Sequence, residues 1–320
     1  MRKRLGSGDA KVSKKPKHLY KFVPLNARAI DLLCRDDVVY SDPRSFNDPL
    51  DCNPIISGSM ARNDAEAVLL ALMKHCDLEK LAAASRALRI PRKWFDEHQD
   101  RIFSSQLRDL LANFEDWTND PDCRDPDGQI DLWLDAEIRK RLIGALGTGV
   151  LSLSDKWNCP VMWAHYGDLH SGLCIGYETD DRDWPQILRA QYGASREIDI
   201  ALVRTWLLDN CQNAKQQIKN AALLSKASRW RYESEWRIFG PLGEHASPLK
   251  MTSVTFGVRT SIGVQFAVMS ALRHRSSPLR FWKVLDSPSQ TSLKRTRVRP
   301  ETLQQMAVRV SDTPDLMAHL

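Results

Sequence analysis

Between about residues 60 and 146 the chain reads as helix, and on both sides of that stretch it reads as short strands. Ala, Leu, Glu and Arg dominate the stretch, with apolar residues at three- and four-residue spacing. Leu134, Ile138 and Leu142 form one such stripe. Three or four helices fit there, interrupted near Pro91 and at the polar run Asn119–Gly128. Before it, strands at Leu19–Val23 and Val38–Tyr40 flank a helix that Asn26 can cap and that runs to about Cys34. After it, strands at Gly149–Ser154, Gly172–Tyr177, Arg229–Phe239, Val254–Val258 and Leu279–Val284 alternate with helical pieces at 161–166, 196–227 and 265–274. Helical pieces of such unequal length do not build a regular βαβ array. They predict an α+β domain over residues 18–286, with the helices at about 60–146 inserted into it.

Charge separates the ends from the body. The net charge of the 320 residues is +6. Residues 1–17 carry seven Lys/Arg against one Asp, and residues 271–299 carry eight against Asp286. The body between them is therefore acidic. Residues 1–17 read as a flexible basic tail and 287–320 as a basic, polar C-terminal tail. Such ends draw polyanions through counterion release, and they also serve simply as solubilising tails. Seven scattered cysteines without a CxxC pair predict a reducing, cytoplasmic setting. No apolar run is long enough for a membrane span, and no apolar segment follows the basic N-terminus as in a secretory signal.

Several chemistries lack their signatures. No GxGxxG follows a strand, and Gly144–Gly149 has no following Lys-Ser/Thr, so neither a Rossmann site nor a P-loop is indicated. GxSxG and HExxH are absent. His165 and His170 are five apart, which is not a one-face helical spacing for metal ligands.

Four places could carry chemistry. In Arg231–Ile238, period-2 alternation puts Tyr232, Ser234, Trp236 and Ile238 on one strand face, with Glu233, Glu235 and Arg237 on the other. Two carboxylates so close perturb each other's pKa, and Arg237 offsets part of the repulsion. The same pattern fits a solvated, salt-bridged face. Lys21 lies between apolar Leu19 and Val23, either at an edge or in a cleft where it can hold a phosphate or ribose. Trp163-Ala164-His165-Tyr166 can stack on a flat ring or be buried on a sheet. In the loop Ser41–Asp51, Asn47, Asp48 and Asp51 can order turns or reach a ligand.

Together these segments form a recognisable set. Leu19-Tyr20-Lys21-Phe22 through Leu25-Asn26, then Val39-Tyr40-Ser41 with Pro43 and Ser45-Phe46-Asn47-Asp48-Pro49 and Asp51, make its opening. Leu151–Ser154, Met162–Gly167 and His170–Ile175 make its middle, and Trp230 with Tyr232–Arg237 its end. The set is similar to the bacterial family catalogued as domain of unknown function 2971, over about residues 18–260. More distantly it resembles ADP-ribosyltransferases. That resemblance implies a mixed, antiparallel split β-sheet core and NAD as substrate, with no metal. It implies Glu235 as the catalytic glutamate and Glu233 as its partner. Lys21 and Tyr20 would hold NAD from the first strand, and Tyr40, Ser41 or Tyr166 would stand by the nicotinamide. Asn47, Asp48 and His165 complete the implied binding set. The first-strand residue is Lys where that superfamily uses Arg or His. A nucleic acid or a protein is the implied acceptor, in a toxin or defence setting. Two other readings stay open. One is a metal-dependent nuclease or phosphodiesterase using Asp48, Asp51, Glu233 and Glu235. The other is a non-enzymatic binding module.

Overall fold

Caps and alternating burial define the elements. The computed structural model describes residues 15–118, 126–180, 187–286 and 293–301. In chain order they form β1 (His18–Val23), α1 (Ala27–Arg35), β2 (Asp37–Tyr40), β3 (Ile55–Ser57), α2 (Arg62–Ala87), α3 (Arg92–Thr118), α4 (Pro126–Ala145), β4 (Gly149–Ser154), α5 (Pro160–Tyr166), β5 (Leu173–Glu178) and β6 (Ile187–Arg189). There follow β7 (Gln191–Tyr192), β8 (Glu197–Asp199), α6 (Ile200–Leu207), α7 (Gln212–Leu224), β9 (Ser225–Lys226), β10 (Glu235–Gly240), β11 (Gly243–Ala246), β12 (Lys250–Phe256), α8 (Ile262–Ala271), β13 (Arg280–Leu285) and β14 (Lys294–Val298).

Eight strands form one sheet in the order β14-β13-β12-β5-β1-β4-β10-β6. All neighbours are antiparallel except β12 and β13, so the sheet is of mixed orientation in a mixed α/β chain. The sheet parts in its middle. β1 pairs with β5 over six positions, but with β4 only at Tyr20↔Ser154. One face carries Leu19, Leu151, Leu153, Trp236 and Ile238 in a core with α1 and α8. The other face carries Phe22 and Cys174 beneath Met162 and Trp163 of α5.

The helical stretch is confirmed. α2, α3 and α4 pack a core that includes Leu69, Leu72, Leu134, Ile138 and Leu142, all essentially inaccessible. Each such side chain contributes roughly 1.5–3 kcal/mol of burial. The break at Pro91 falls between α2 and α3. Residues 119–125 of the expected polar break lie outside the described residues. Asn26 caps α1 through its side chain, as its position predicts. No helix among the described residues is long and apolar enough to cross a membrane.

Three expectations are corrected. Residues 196–227 do not form one helix: a short strand, two helices and a second short strand occupy them. Asp199 caps α6 with its side chain, and Asn210 takes a positive φ of 52° just before α7. The strand expected at 229–239 is a 3-10 turn over Ser228–Glu233 followed by β10. The break lies at Ser234, whose left-handed backbone (φ 48°) ends the turn and resets the alternation. The polar C-terminal tail is corrected as well, because Lys294–Val298 is an edge strand on β13. Of the basic N-terminal tail, residues 1–14 lie outside the described residues. Pro16 and Lys17 already accept hydrogen bonds from Thr179.

Candidate functional site

A cleft of about 400 Å³ opens where β1 and β4 part. Its walls come from β1, the Ser41–Asp51 loop, α5 and β4. Lys226, Glu233 and Glu235 are also among its lining residues. Lys21 stands in the gap itself and donates to the Ser152 carbonyl at 3.0 Å. Burial lowers its pKa, against the pull of Glu235 and Glu233. Tyr20 can lie flat across the neighbouring strand because Gly176 has no side chain. A Cβ there would stand 3.3 Å from the Tyr20 ring and 2.3 Å from Ser253 Oγ.

The buried chemistry centres on two cations shared by three carboxylates. The Lys226 ammonium is held by Glu233, by Glu235 Oε2 at 2.7 Å and by Asp51 Oδ2 at 3.4 Å. Arg237 is fully buried. It donates Nε to Glu235 Oε1 at 2.9 Å and one terminal nitrogen to both oxygens of Asp51, at 2.7 and 2.9 Å. Its other terminal nitrogen donates to the Leu223 carbonyl at 2.7 Å. The Glu235 amide donates to Tyr192 Oη at 2.7 Å. Glu235 therefore has both oxygens committed to cations. Glu233 differs: besides Lys226 it accepts from the Tyr166 hydroxyl at 2.8 Å.

The two carboxyls titrate in opposite directions. For Glu235, burial opposes ionisation, but Arg237 and Lys226 outweigh it and carry the pKa down to about 2. For Glu233, burial dominates and raises the pKa, with Lys226 offsetting only part and Glu235 adding repulsion. Burial also opposes the charge on Lys226, but Glu235, Glu233 and Asp51 together hold its pKa above the ordinary lysine value. Tyr166 is raised by burial first and by Glu233 second. The Glu235 shift has a stability consequence. A depressed carboxylate contributes stability that is present above its unfolded value of about 4.5 and is lost as pH falls through about 2. Acid unfolding followed by circular dichroism should show the wild type losing stability across that interval, with a shallower loss in Glu235→Gln.

The structure brings most of the expected residues together. Tyr20, Lys21, Ser41, Asn47, His165, Tyr166, Glu233 and Glu235 all line the cleft. Asn47 also hydrogen-bonds the Tyr166 side chain. Tyr40 is a correction: it is buried in the sheet core, its ring packed where a Cβ on Gly240 would come within 2.5 Å. Asp48 is a second correction, being absent from the cleft lining. It accepts Trp230 Nε1 at 2.6 Å, and the Lys226 ammonium lies 5.5 Å from the centre of the Trp230 ring. Asp48 thus braces the ring that covers Lys226. Sequence reasoning missed Lys226 and Tyr192, and named Arg237 only as a partial counter-charge. In the sequence Lys226 is one of three cations, with Arg229 and Arg231, between the apolar run Ala221–Leu224 and Glu233, and nothing local singles it out.

Chemically, the cleft offers one carboxylate with a raised pKa, a phenol bonded to it, a fixed ammonium and aromatic walls. Among the described residues, no group of three or more His, Cys, Asp or Glu is arranged to hold a metal ion. Comparison with family models, with curated proteins and with solved structures finds no match to this chain.

Proposed function

We propose that the cleft is the active site of an ADP-ribosyltransferase-like enzyme that uses NAD as substrate. The observation that carries this reading is the Glu233–Tyr166–Lys226 unit beside the opening between β1 and β4, within an aromatic-lined cleft. In such a reaction the bond between nicotinamide and ribose C1′ breaks, and nicotinamide leaves as a neutral base. The ribose becomes oxocarbenium-like, and a nucleophile adds to C1′ as its proton is released. A buried carboxylate stabilises that cation most where water is excluded. Glu233 supplies it, Tyr166 and Lys226 fix its two oxygens, and His165 and Tyr20 offer flat surfaces to the nicotinamide. Lys21 stands at the opening as a cation for ribose or diphosphate.

The motif resemblance to the domain of unknown function 2971 family, and more distantly to ADP-ribosyltransferases, supports the NAD chemistry. It implies Glu235 as the catalytic glutamate, whereas the commitment of both Glu235 oxygens to Arg237 and Lys226 favours Glu233 in that role. A specific observation weakens the nuclease alternative. Asp51, Glu233 and Glu235, three of its four carboxylates, already share Lys226 and Arg237. A divalent cation would have to displace an ammonium to enter.

The test is nicotinamide release from labelled NAD by purified protein with cell extract and chelator. Release that persists in chelator, with label moving to a macromolecular fraction or to free ADP-ribose, is expected. No release with any acceptor fraction overturns the proposal, and metal-dependent cleavage of nucleic acid replaces it with the nuclease reading.

A further inference from the structure

Cross-strand partners in a sheet share a face. From the cleft outward, Glu235 pairs with Ser154, Ser154 with Tyr20, Tyr20 with Gly176, Gly176 with Ser253, and Ser253 with Arg280. One row of positions therefore runs from the carboxylate site to the far side of the sheet. Its length is five strand spacings, roughly 24 Å. Beyond Tyr20 the row passes through the small, buried Gly176 and Ser253 and reaches the surface at Arg280.

The row ends on a surface of a different kind. On the same face, Trp282 lies two residues beyond Arg280 and pairs with Arg297 of the edge strand β14. Arg295 is sandwiched between Trp282 and Trp157, its guanidinium 4.7 and 4.3 Å from the ring centres, and donates to Thr255 Oγ1 at 3.0 Å. Trp157 in turn accepts a hydrogen bond from Trp163 of α5, whose next turn carries Tyr166 into the cleft. Arg280, Lys294, Arg297 and Arg299 are exposed, and none forms an ion pair among the described residues. Lys283 is not part of the set, because its ammonium is committed to the Gly257 and Thr260 carbonyls.

Unpaired arginines alternating with half-buried tryptophans match the requirements of a flexible polyanion with flat bases. Phosphates take the guanidinium groups, and bases stack on indole or guanidinium planes. We infer that the β13–β14 face binds single-stranded nucleic acid, with Arg280 and Arg297 on phosphates and Trp282 under a base. Its use as the acceptor side of the cleft rests on the NAD reading above; the binding surface itself does not.

The experiment is fluorescence anisotropy without NAD, using a labelled 20-nucleotide DNA strand, the same sequence in RNA, the DNA duplex, and polyglutamate as competitor. Intact protein is expected to bind the single strands, DNA or RNA deciding only which sugar is preferred. Changing both Arg280→Ser and Arg297→Ser should weaken binding about tenfold at 0.1 M salt. It should also flatten the plot of log affinity against log salt by roughly 1.4 for two lost phosphate contacts. Trp282→Leu should weaken single strands about fivefold or more and leave the duplex unchanged. Glu233→Gln should bind like wild type, which separates this surface from the chemistry. Both arginines are exposed, so the double variant keeps the test valid where Trp282→Leu disturbs packing. Absence of binding by intact protein, indifference to the arginine pair, or equal competition by polyglutamate overturns the inference.

Discussion

Arg237→Leu is expected to destabilise the fold by about 3–5 kcal/mol, the cost of removing one partner from a buried ion pair. The guanidinium has no exposed surface, and its nitrogens reach Glu235, Asp51, the Leu223 carbonyl and Cys52 Sγ. Leucine fills part of the volume but leaves Asp51 and Glu235 with only Lys226 between them and Glu233. Three buried carboxylates would then share one ammonium. Arg237→Lys is expected to recover little of the loss. A single ammonium cannot bridge Asp51 and Glu235 while also reaching the Leu223 carbonyl, which the planar fork does at once. Adding Asp51→Asn to Arg237→Leu should recover part of the lost stability, because one uncompensated charge is gone. Urea unfolding measures all of these through the midpoint at constant slope. A loss below about 1 kcal/mol for Arg237→Leu would show that the network relaxes or admits water instead of stranding charge.

The acid-rich segment illustrates how far a sequence can be read and where it stops. Alternation alone put Glu235 and Arg237 on one face and Trp236 and Ile238 on the other, and both pairs sit there in β10. Alternation did not reveal that Glu233 lies outside the strand, because nothing in Glu-Ser-Glu announces the left-handed backbone at Ser234. Glu233 nevertheless converges on Glu235, since Lys226 draws both carboxylates to one ammonium. The partners that make the site were the least legible. Asp51 is 186 residues from Arg237, and no local pattern encodes such a contact. Beside Ser41, Tyr40 has the sequence position of a ligand-facing aromatic, but its place in the core follows from glycines at positions 149 and 240, each distant in sequence. The edge strand Lys294–Val298 has the composition of a tail, basic and nearly free of apolar residues. That is also the composition which keeps an exposed edge from pairing with other chains.

Glu233→Gln is expected to lower kcat for nicotinamide release by about 10²- to 10⁴-fold while leaving the fold intact, if the chemistry is the NAD reaction proposed here. Glutamine keeps the shape of the side chain, accepts from Lys226 through its one oxygen and turns its NH2 toward the Tyr166 hydroxyl, but it carries no charge to set against the forming oxocarbenium. Glu235→Gln should differ in kind. Both Glu235 oxygens are tied to Arg237 and Lys226, so its loss should lower stability together with activity. The pH profile distinguishes them further. Burial raises the Glu233 pKa, and the reaction needs its carboxylate form, so the rate should fall as pH drops through a value above the ordinary 4.5. The Tyr166 hydroxyl bonds that carboxylate and lowers its pKa, so Tyr166→Phe should move the acid limb to still higher pH. A Glu233→Gln variant that keeps full activity while Glu235→Gln loses it would return the catalytic role to Glu235. The ion pairs around Glu235 would then have to open when substrate enters, and rates would rise in variants that loosen Lys226.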